Sequence, residues 1–594
     1  MRKKRVIEQN RCYHLVSRLA HRAFFLDDEE KDRAVALMRR VEAGVKASMS
    51  YCINRTVSIY TLVYSVVAVN RQRRDDMNAI RIFVFAVLAL AVQGSFAASK
   101  TWNGVLAEGE TAALASVASN WLPEGVPTAG DDIVLDGTSV VNLTWDGATE
   151  GLAQTVGSWT QTEGYTGTVV FQTNPNGAFQ TFAITGDASL LGGTWTHPRN
   201  GGNSQVVWLK VSVGGSFLIG EKVKISVDLK GFSTYINAKG SVVLAGPGAG
   251  DTKDGARHGG QGGFGESSNM STDSCYGSYR NPTTLGSSAN KANGVATGGG
   301  AVILSVGGVM THNGTISANG GGSVGSSGGS VQVTAKRLVG SGKITAIGGG
   351  SGTQDKGNGG GGRIALHLTD ETLTREAYSE EWTGSISARG GYNSSSKTSV
   401  FAGAGAAGTV YVELPGEDGY GSLTLDNSGW NSGKSKGVNG AAMLANGTVC
   451  KLSELSLKSC GRLGLFSGAE VQMKSFDGIV SEGDELNAIR FQGGGVLSSA
   501  QANDRLVVSG YAYEVYGAQT LAGPMKVMAD GFLRVNAYGT TEGAFTVDRL
   551  KIGAVSLAAG VYDVATLAET YPMVSGAGTI TVTGKGGGLL LFIR

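Results

Sequence analysis

The chain has 594 residues, enough for two to four domains of roughly 100 to 200 residues each, so core size is not limiting. Its net charge of +2 conceals a split: residues 1–76 carry 16 Lys+Arg against 9 Asp+Glu, whereas those from Ala98 onward carry 33 against 39. An acidic balance of that kind excludes nucleic-acid binding by phosphate neutralisation for the larger part.

Composition changes at the same point. Only Gly44 and Gly94 of the 94 glycines precede Ala98, and all nine prolines and all eight tryptophans follow it. The run "NRCYHLVSRLAHRAFFLDDEEKDRAVALMRRV" at 10–41 resembles the start of the single-tyrosine, IS200-like transposases associated with repetitive extragenic elements. That resemblance implies a His-x-His pair holding a divalent metal and a later tyrosine nucleophile. Neither carries over: no two of the six histidines are separated by one residue, so metal-assisted phosphodiester chemistry has no support. The resemblance ends after about Val45. Residues 1–76 are read as a truncated transposase remnant with an unrelated spacer, or as upstream sequence joined to the gene, with translation starting at Met77. The rival reading is an inactive, transposase-derived DNA-binding segment over 1–46. A second apolar stretch at 56–69 is interrupted by Thr and Ser and is no more than a marginal membrane segment.

Residues 77–97 read as a signal peptide. Arg81 precedes an unbroken apolar run from Ile82 to Val92, too short to cross a bilayer core as a helix but of the right length for the central region of an export signal. Ser95 and Ala97 supply the small side chains that a signal peptidase requires, which predicts cleavage between Ala97 and Ala98 and a secreted or cell-surface location.

Residues 98–230 form an N-terminal β-rich segment. "KTWNG" and "SNWLPEGVPTAGDDIVLDG" resemble the opening of large bacterial surface and autotransporter-like proteins. Pro127 and Gly130 mark a turn, and Ile133 and Leu135 alternate as in a half-buried strand. Asp131 and Asp132 read as turn formers, because adjacent carboxylates on a strand point to opposite faces.

Residues 231–414 repeat two phrases in alternation. "GGGAVILSV", "SGGSVQVTA", "GGGGRIALHL" and "GAAGTVYVEL" alternate with "NGTISANGGG", "SGKITAIGGG" and "TGSISARGG". Each phrase sets apolar residues two apart, and the distances of 29 and 33 residues from Val302 to Val331 and from Val331 to Ile364 signal a stacked array. The pairs are Val302 and Leu304, Ile316 and Ala318, Val331 and Val333, Ile344 and Ala346, Ile364 and Leu366, Ile386 and Ala388, and Val410 and Val412. The fold class expected is all-β: a right-handed parallel β-helix or related β-solenoid, with the glycine triplets at its corners supplying positive φ. These phrases resemble the glycine-rich repeat proteins that bacteria secrete or display.

Residues 415–594 continue as a C-terminal β-rich segment. No stable membrane span is expected, since the segment lacks regular ten-residue alternating strands and its apolar end is short. Cys450 and Cys460 form a candidate disulfide, with a pair of free thiols as the equal alternative. Arg363, Lys343, Arg389 and His367 read as surface residues. No catalytic, cofactor or metal residues are assigned, because the repeat faces present Ser, Thr, Asn and Gly rather than the carboxylate sets that a lyase or glycosidase needs. The expected function is a non-enzymatic structural or adhesive surface protein that binds polysaccharide, other surface proteins or copies of itself. Trp382, Trp430 and Tyr411 are its candidate glycan-stacking residues. A polysaccharide lyase or hydrolase on a β-helix is the alternative.

Overall fold

The computed structural model describes residues 98–594 apart from 238–240, 251–253, 264–274, 290–295, 322–324, 351–356, 393–402, 431–439, 445–446, 467, 483–485, 493, 537–542 and 586–594. Residues 1–97, read above as a transposase-like head, a spacer and a signal peptide, lie outside the described residues. The architecture is almost all β, with several parallel and mixed sheets.

Short alternating segments enter three sheets in a fixed order. Phe182–Ile184 belongs to a 12-stranded sheet, Ala188–Leu190 to one 8-stranded sheet and Thr194–Thr196 to another. Leu209–Val213, Phe217–Ile219 and Lys224–Ser226 follow in the same order, each parallel to its predecessor. Ala301–Val306, Val309–His312 and Thr315–Ser317 do so again, and Ser330–Ala335, Arg337–Val339 and Lys343–Thr345 next. The register pairs like with like: Leu209, Val302, Val331, Ile364 and Val410 are successive neighbours in the 12-stranded sheet.

Period-two alternation turns this register into a core. The aliphatic pairs from Val302 to Leu366 are sealed from solvent, as are Ala388 and Val412, while Ile386 and Val410 pack against the same core half-buried. Each buried Val, Ile or Leu contributes about 1.5–3 kcal/mol relative to exposure. Toward the amino-terminal end tryptophan replaces aliphatics. Trp102, Trp121, Trp145, Trp159 and Trp195 form a chain of rings whose successive centroids are 5.0–6.0 Å apart. Gln161 satisfies the indoles inside it, accepting from Trp159 Nε1 at 2.9 Å and Trp195 Nε1 at 2.5 Å.

The glycine triplets lie in connections between strands of different sheets, but without the positive φ expected of them. Gly298–Gly300, Gly348–Gly350 and Gly359–Gly362 are absent from the positive-φ positions among the described residues, and they belong to no strand. Their amides follow a three-residue cycle. Gly359 donates to Gly349, Gly360 to Ala256, Gly361 to Ala406, and Gly362 returns to the first neighbour at Ala346. Gly405 and Gly408 likewise donate to Gly391 and Ala388. Three residues per turn is the period of a polyproline II helix, which has no internal hydrogen bonds and must satisfy its amides outward. Glycine is required for closeness: a Cβ on Gly361 would overlap the Ala388 carbonyl oxygen, and one on Gly349 the Gly321 carbonyl oxygen.

At Thr409–Glu413 the direction reverses. Gly421–Asp426 pairs with that strand antiparallel, and parallel pairing resumes with Val449–Lys458. The first core ends at Leu414; a second runs from Leu423 to Val582 and includes Ala365 and Tyr411 from the opposite face of the same sheet. Cys450 and Cys460 are free and buried, not bridged. They lie at and just beyond the two ends of the extended strand Val449–Lys458, roughly 30 Å apart at about 3.3 Å per residue, where a disulfide spans about 7 Å at most between Cα atoms. No helix among the described residues is long and apolar enough to cross a membrane.

Candidate functional site

The polar chemistry gathers on the outer face of the 12-stranded sheet. Alternation that turns Ile364, Leu366 and Leu368 inward turns Arg363, Ala365 and His367 outward, and register sets these beside Thr409, Tyr411 and Glu413. Residues 275–287 cross over this face, turning at Gly277 with φ +77. Their carbonyls hold the outward side chains: Arg363 Nε donates to Tyr276 O at 2.8 Å and His367 Nε2 to Arg280 O at 2.7 Å.

Two charged centres result, and they differ. Arg280 grips Glu413 with two bonds of 2.8 and 2.6 Å, and Tyr411 donates its hydroxyl to the same carboxylate at 3.0 Å. Burial pushes the Glu413 carboxyl up, but the bonds from Arg280 and Tyr411 prevail and hold it below the ordinary glutamate value. Arg363 has no carboxylate partner among the described residues. Its bonds run to the Tyr276 carbonyl and, at 3.3 Å, to Thr409 Oγ1, although it is only 1% exposed. Burial lowers its pKa, yet a guanidinium stays cationic at neutral pH.

The groups around Arg363 are neutral. Burial pushes the Cys450 thiol up to about 12 and raises that of Cys275, and burial followed by the Arg363 charge draws His258 down to about 3. His258 is fixed between Gly328 O and Thr284 Oγ1, both at 2.8 Å, and its ring lies 4.6 Å from that of Tyr276. Beside the guanidinium opens a cleft of about 330 Å³, rimmed by Ser278, Tyr279, Arg280, Asn281 and Thr448. It offers two cations, Arg363 and the Glu413-bound Arg280, and several neutral donors. Among the described residues the carboxylate held at its rim, Glu413, is engaged by Arg280. Among the described residues no group of three His, Cys, Asp or Glu side chains is placed to hold a metal ion.

The residues expected from sequence to stack on sugars are dispersed. Tyr411 is fully enclosed, its ring edge-on to Tyr279 at 5.3 Å, and Trp382 is 7% exposed and stacked on His312 at 5.6 Å. Neither has a face free for a ligand, because each fills a core the local sequence does not reveal. Trp430 is half-buried and lies face to face with Tyr392 at 3.6 Å, with Arg389 over the Tyr392 ring at 4.7 Å. Arg363, read as a surface residue, is buried instead. The available signal was its position directly after Gly359–Gly362: side-chain-free segments pack so closely that the residue following them is drawn inside. Asp131 closes the turn, accepting from Thr128 N at 2.8 Å, and Ala98 N donates to its other oxygen at 3.0 Å.

No family model, no curated protein and no solved structure matches this chain.

Proposed function

We propose that residues 98–594 form a β-solenoid of the parallel β-helix type and that the protein works outside the cytoplasm as a non-enzymatic structural or adhesive surface protein. The observation that carries this reading is the in-register recurrence of strands through three sheets, with aliphatic residues stacked on the inner side. Such an array presents long, hydroxyl-bearing faces suited to many weak contacts with polysaccharide, other surface proteins or a second copy of itself. Sheet closure through stacking leaves the strands little edge along their length, which suits exposure outside the cell.

Export is supported by the apolar run before Ser95 and Ala97 and by the setting of Ala98. A chain cut between Ala97 and Ala98 would place its new ammonium group against Asp131, a carboxylate only 2% exposed that takes its other bonds from Thr128. Residues 1–76 then remain a transposase-derived remnant without a role in the exported product. The non-enzymatic reading is supported by the engagement of Glu413 with Arg280, which leaves that carboxylate no free proton-transfer role.

Mass spectrometry of the amino terminus of protein recovered outside the cell tests export, with Ala98 as the expected first residue. Recovery of a peptide containing Cys12 or Cys52 overturns it. A glycan-binding panel and an assay for unsaturated sugar release separate adhesion from lyase activity; release from pectin or alginate would replace the proposal with the enzyme reading.

A further inference from the structure

Burying a guanidinium without a counter-ion costs several kcal/mol, so a fold that keeps one at the wall of a cleft holds a group whose partner arrives from outside. Arg363 meets that description. Among the described residues no carboxylate pairs with it, its two protein acceptors use two of its five N–H groups, and it lines the cleft of about 330 Å³. Neighbouring thiols and imidazole do not supply the missing charge, since burial keeps Cys275, Cys450 and His258 neutral. Arg280, the other cation of the rim, is already taken by Glu413 in a two-bonded pair.

We propose that Arg363, with the rim of Ser278, Asn281 and Thr448, binds a small oxyanion carried on a sugar, either a carboxylate or a sulfate half-ester. A planar guanidinium fork matches both groups with paired hydrogen bonds, which a compact ammonium does not. The hydroxyls of Ser278 and Thr448 and the amide of Asn281 complement sugar hydroxyls. The cleft lies at the lower end of the range of about 300–1,000 Å³ for small-molecule sites, so it admits a short acidic saccharide end or branch rather than a long chain. Arg363 serves as the anchor, and the position of Glu413 beside Arg280 excludes a second anion from the same rim. The sugar portion rests on the surface-glycan reading above; the oxyanion site does not.

Calorimetric titration of the full-length protein with glucuronate, glucose 6-sulfate, glucose and sodium sulfate tests this. Glucuronate and glucose 6-sulfate are expected to bind and glucose to be at least about tenfold weaker. Arg363→Lys is expected to weaken acidic-sugar binding by about tenfold or more, because the fork is lost while the charge remains. Ser278→Trp fills the exposed mouth while leaving the Arg363 residue in place and is expected to abolish binding even if the Arg363 variant fails to fold. Equal binding of glucose and glucuronate, absence of binding by any probe, or acidic-sugar binding unaffected by Ser278→Trp overturns the site. Sulfate binding with no gain from an attached sugar supports the oxyanion site and contradicts the glycan reading alone.

Discussion

Two interiors of this protein exclude water by opposite means. Under residues 98–230 the interior is made of side chains: tryptophan rings in edge and tilted contact, with Phe171, Phe182 and Phe217 between them. Around residues 256–263, 326–329, 346–350, 357–362 and 403–408 it is made of backbone. There extended segments donate amides to several neighbours in rotation, and carbonyl oxygens occupy the space a Cβ would need. The first interior gains its stability from apolar area removed from water. The second buries little apolar area and depends on every buried amide finding an acceptor. Large side chains are therefore indispensable in one and excluded from the other.

That contrast is broken most forcefully by exchanging the two rules. Trp159 touches Trp145, Phe171, Phe182 and Trp195. Trp159→Ala is expected to cost about 3–5 kcal/mol in urea unfolding, and a loss under about 1 kcal/mol would mean that the ring ladder is loosely packed. Gly361→Ala adds one methyl group and is expected to cost about 1–3 kcal/mol or more, through overlap with the Ala388 carbonyl. Gly201→Ala, at an open position with nothing within 4 Å of the added carbon, serves as its control and should stay within about 0.5 kcal/mol.

Acid sharpens the comparison, because imidazoles are buried beside the side-chain core as it continues past residue 230 and beside the glycine segments. His312 is stacked on Trp382, whereas His197 Nε2 accepts from Ala301 N and His258 Nδ1 bonds Gly328 O beside the glycine segments. Burial lowers His197 and His312 from 6.5 to about 4 and His258 to about 3. The folded values lie below the unfolded one, so as pH falls the unfolded chain takes up protons first. Stability present above pH 6.5 should decline between about 6.5 and 4, by on the order of 1.4 kcal/mol per pH unit for each ring. A flat unfolding midpoint across that interval would contradict burial of these rings. The smallest expected effect is none: with Cys275, Cys450 and Cys460 free, a reductant should leave the thermal midpoint unchanged, and a fall would indicate a bridge.

The inner column was legible because its signal is local. Val302 and Leu304, or Ile344 and Ala346, declare a shared face by standing two apart, and like sequences recur where like strands pair. Arg363 and Tyr411 were not legible, because their burial is decided by a cover that comes from elsewhere in the chain. The carbonyl that holds Arg363 is 87 residues away, and the arginine that holds Glu413 is 133 away. Periodicity marks the outer face of a strand but not whether another segment lies on it. Glycine misled for a different reason. Its freedom at positive φ and its lack of a side chain are both reasons to use it, and only the positions of neighbouring carbonyls show that here the second applies. Of the two equal readings of Cys450 and Cys460 the free thiols hold, since the residues that would close a loop between them instead form the strand Val449–Lys458.

Hydrogen exchange at the amides of Gly359–Gly362 and Gly405–Gly408 tests the backbone-packed interior most directly. Protection comparable to that of the strand Ser330–Ala335 is predicted, although these glycines belong to no sheet. Exchange as fast as that of an unfolded chain would show that they are solvated linkers and would contradict the account.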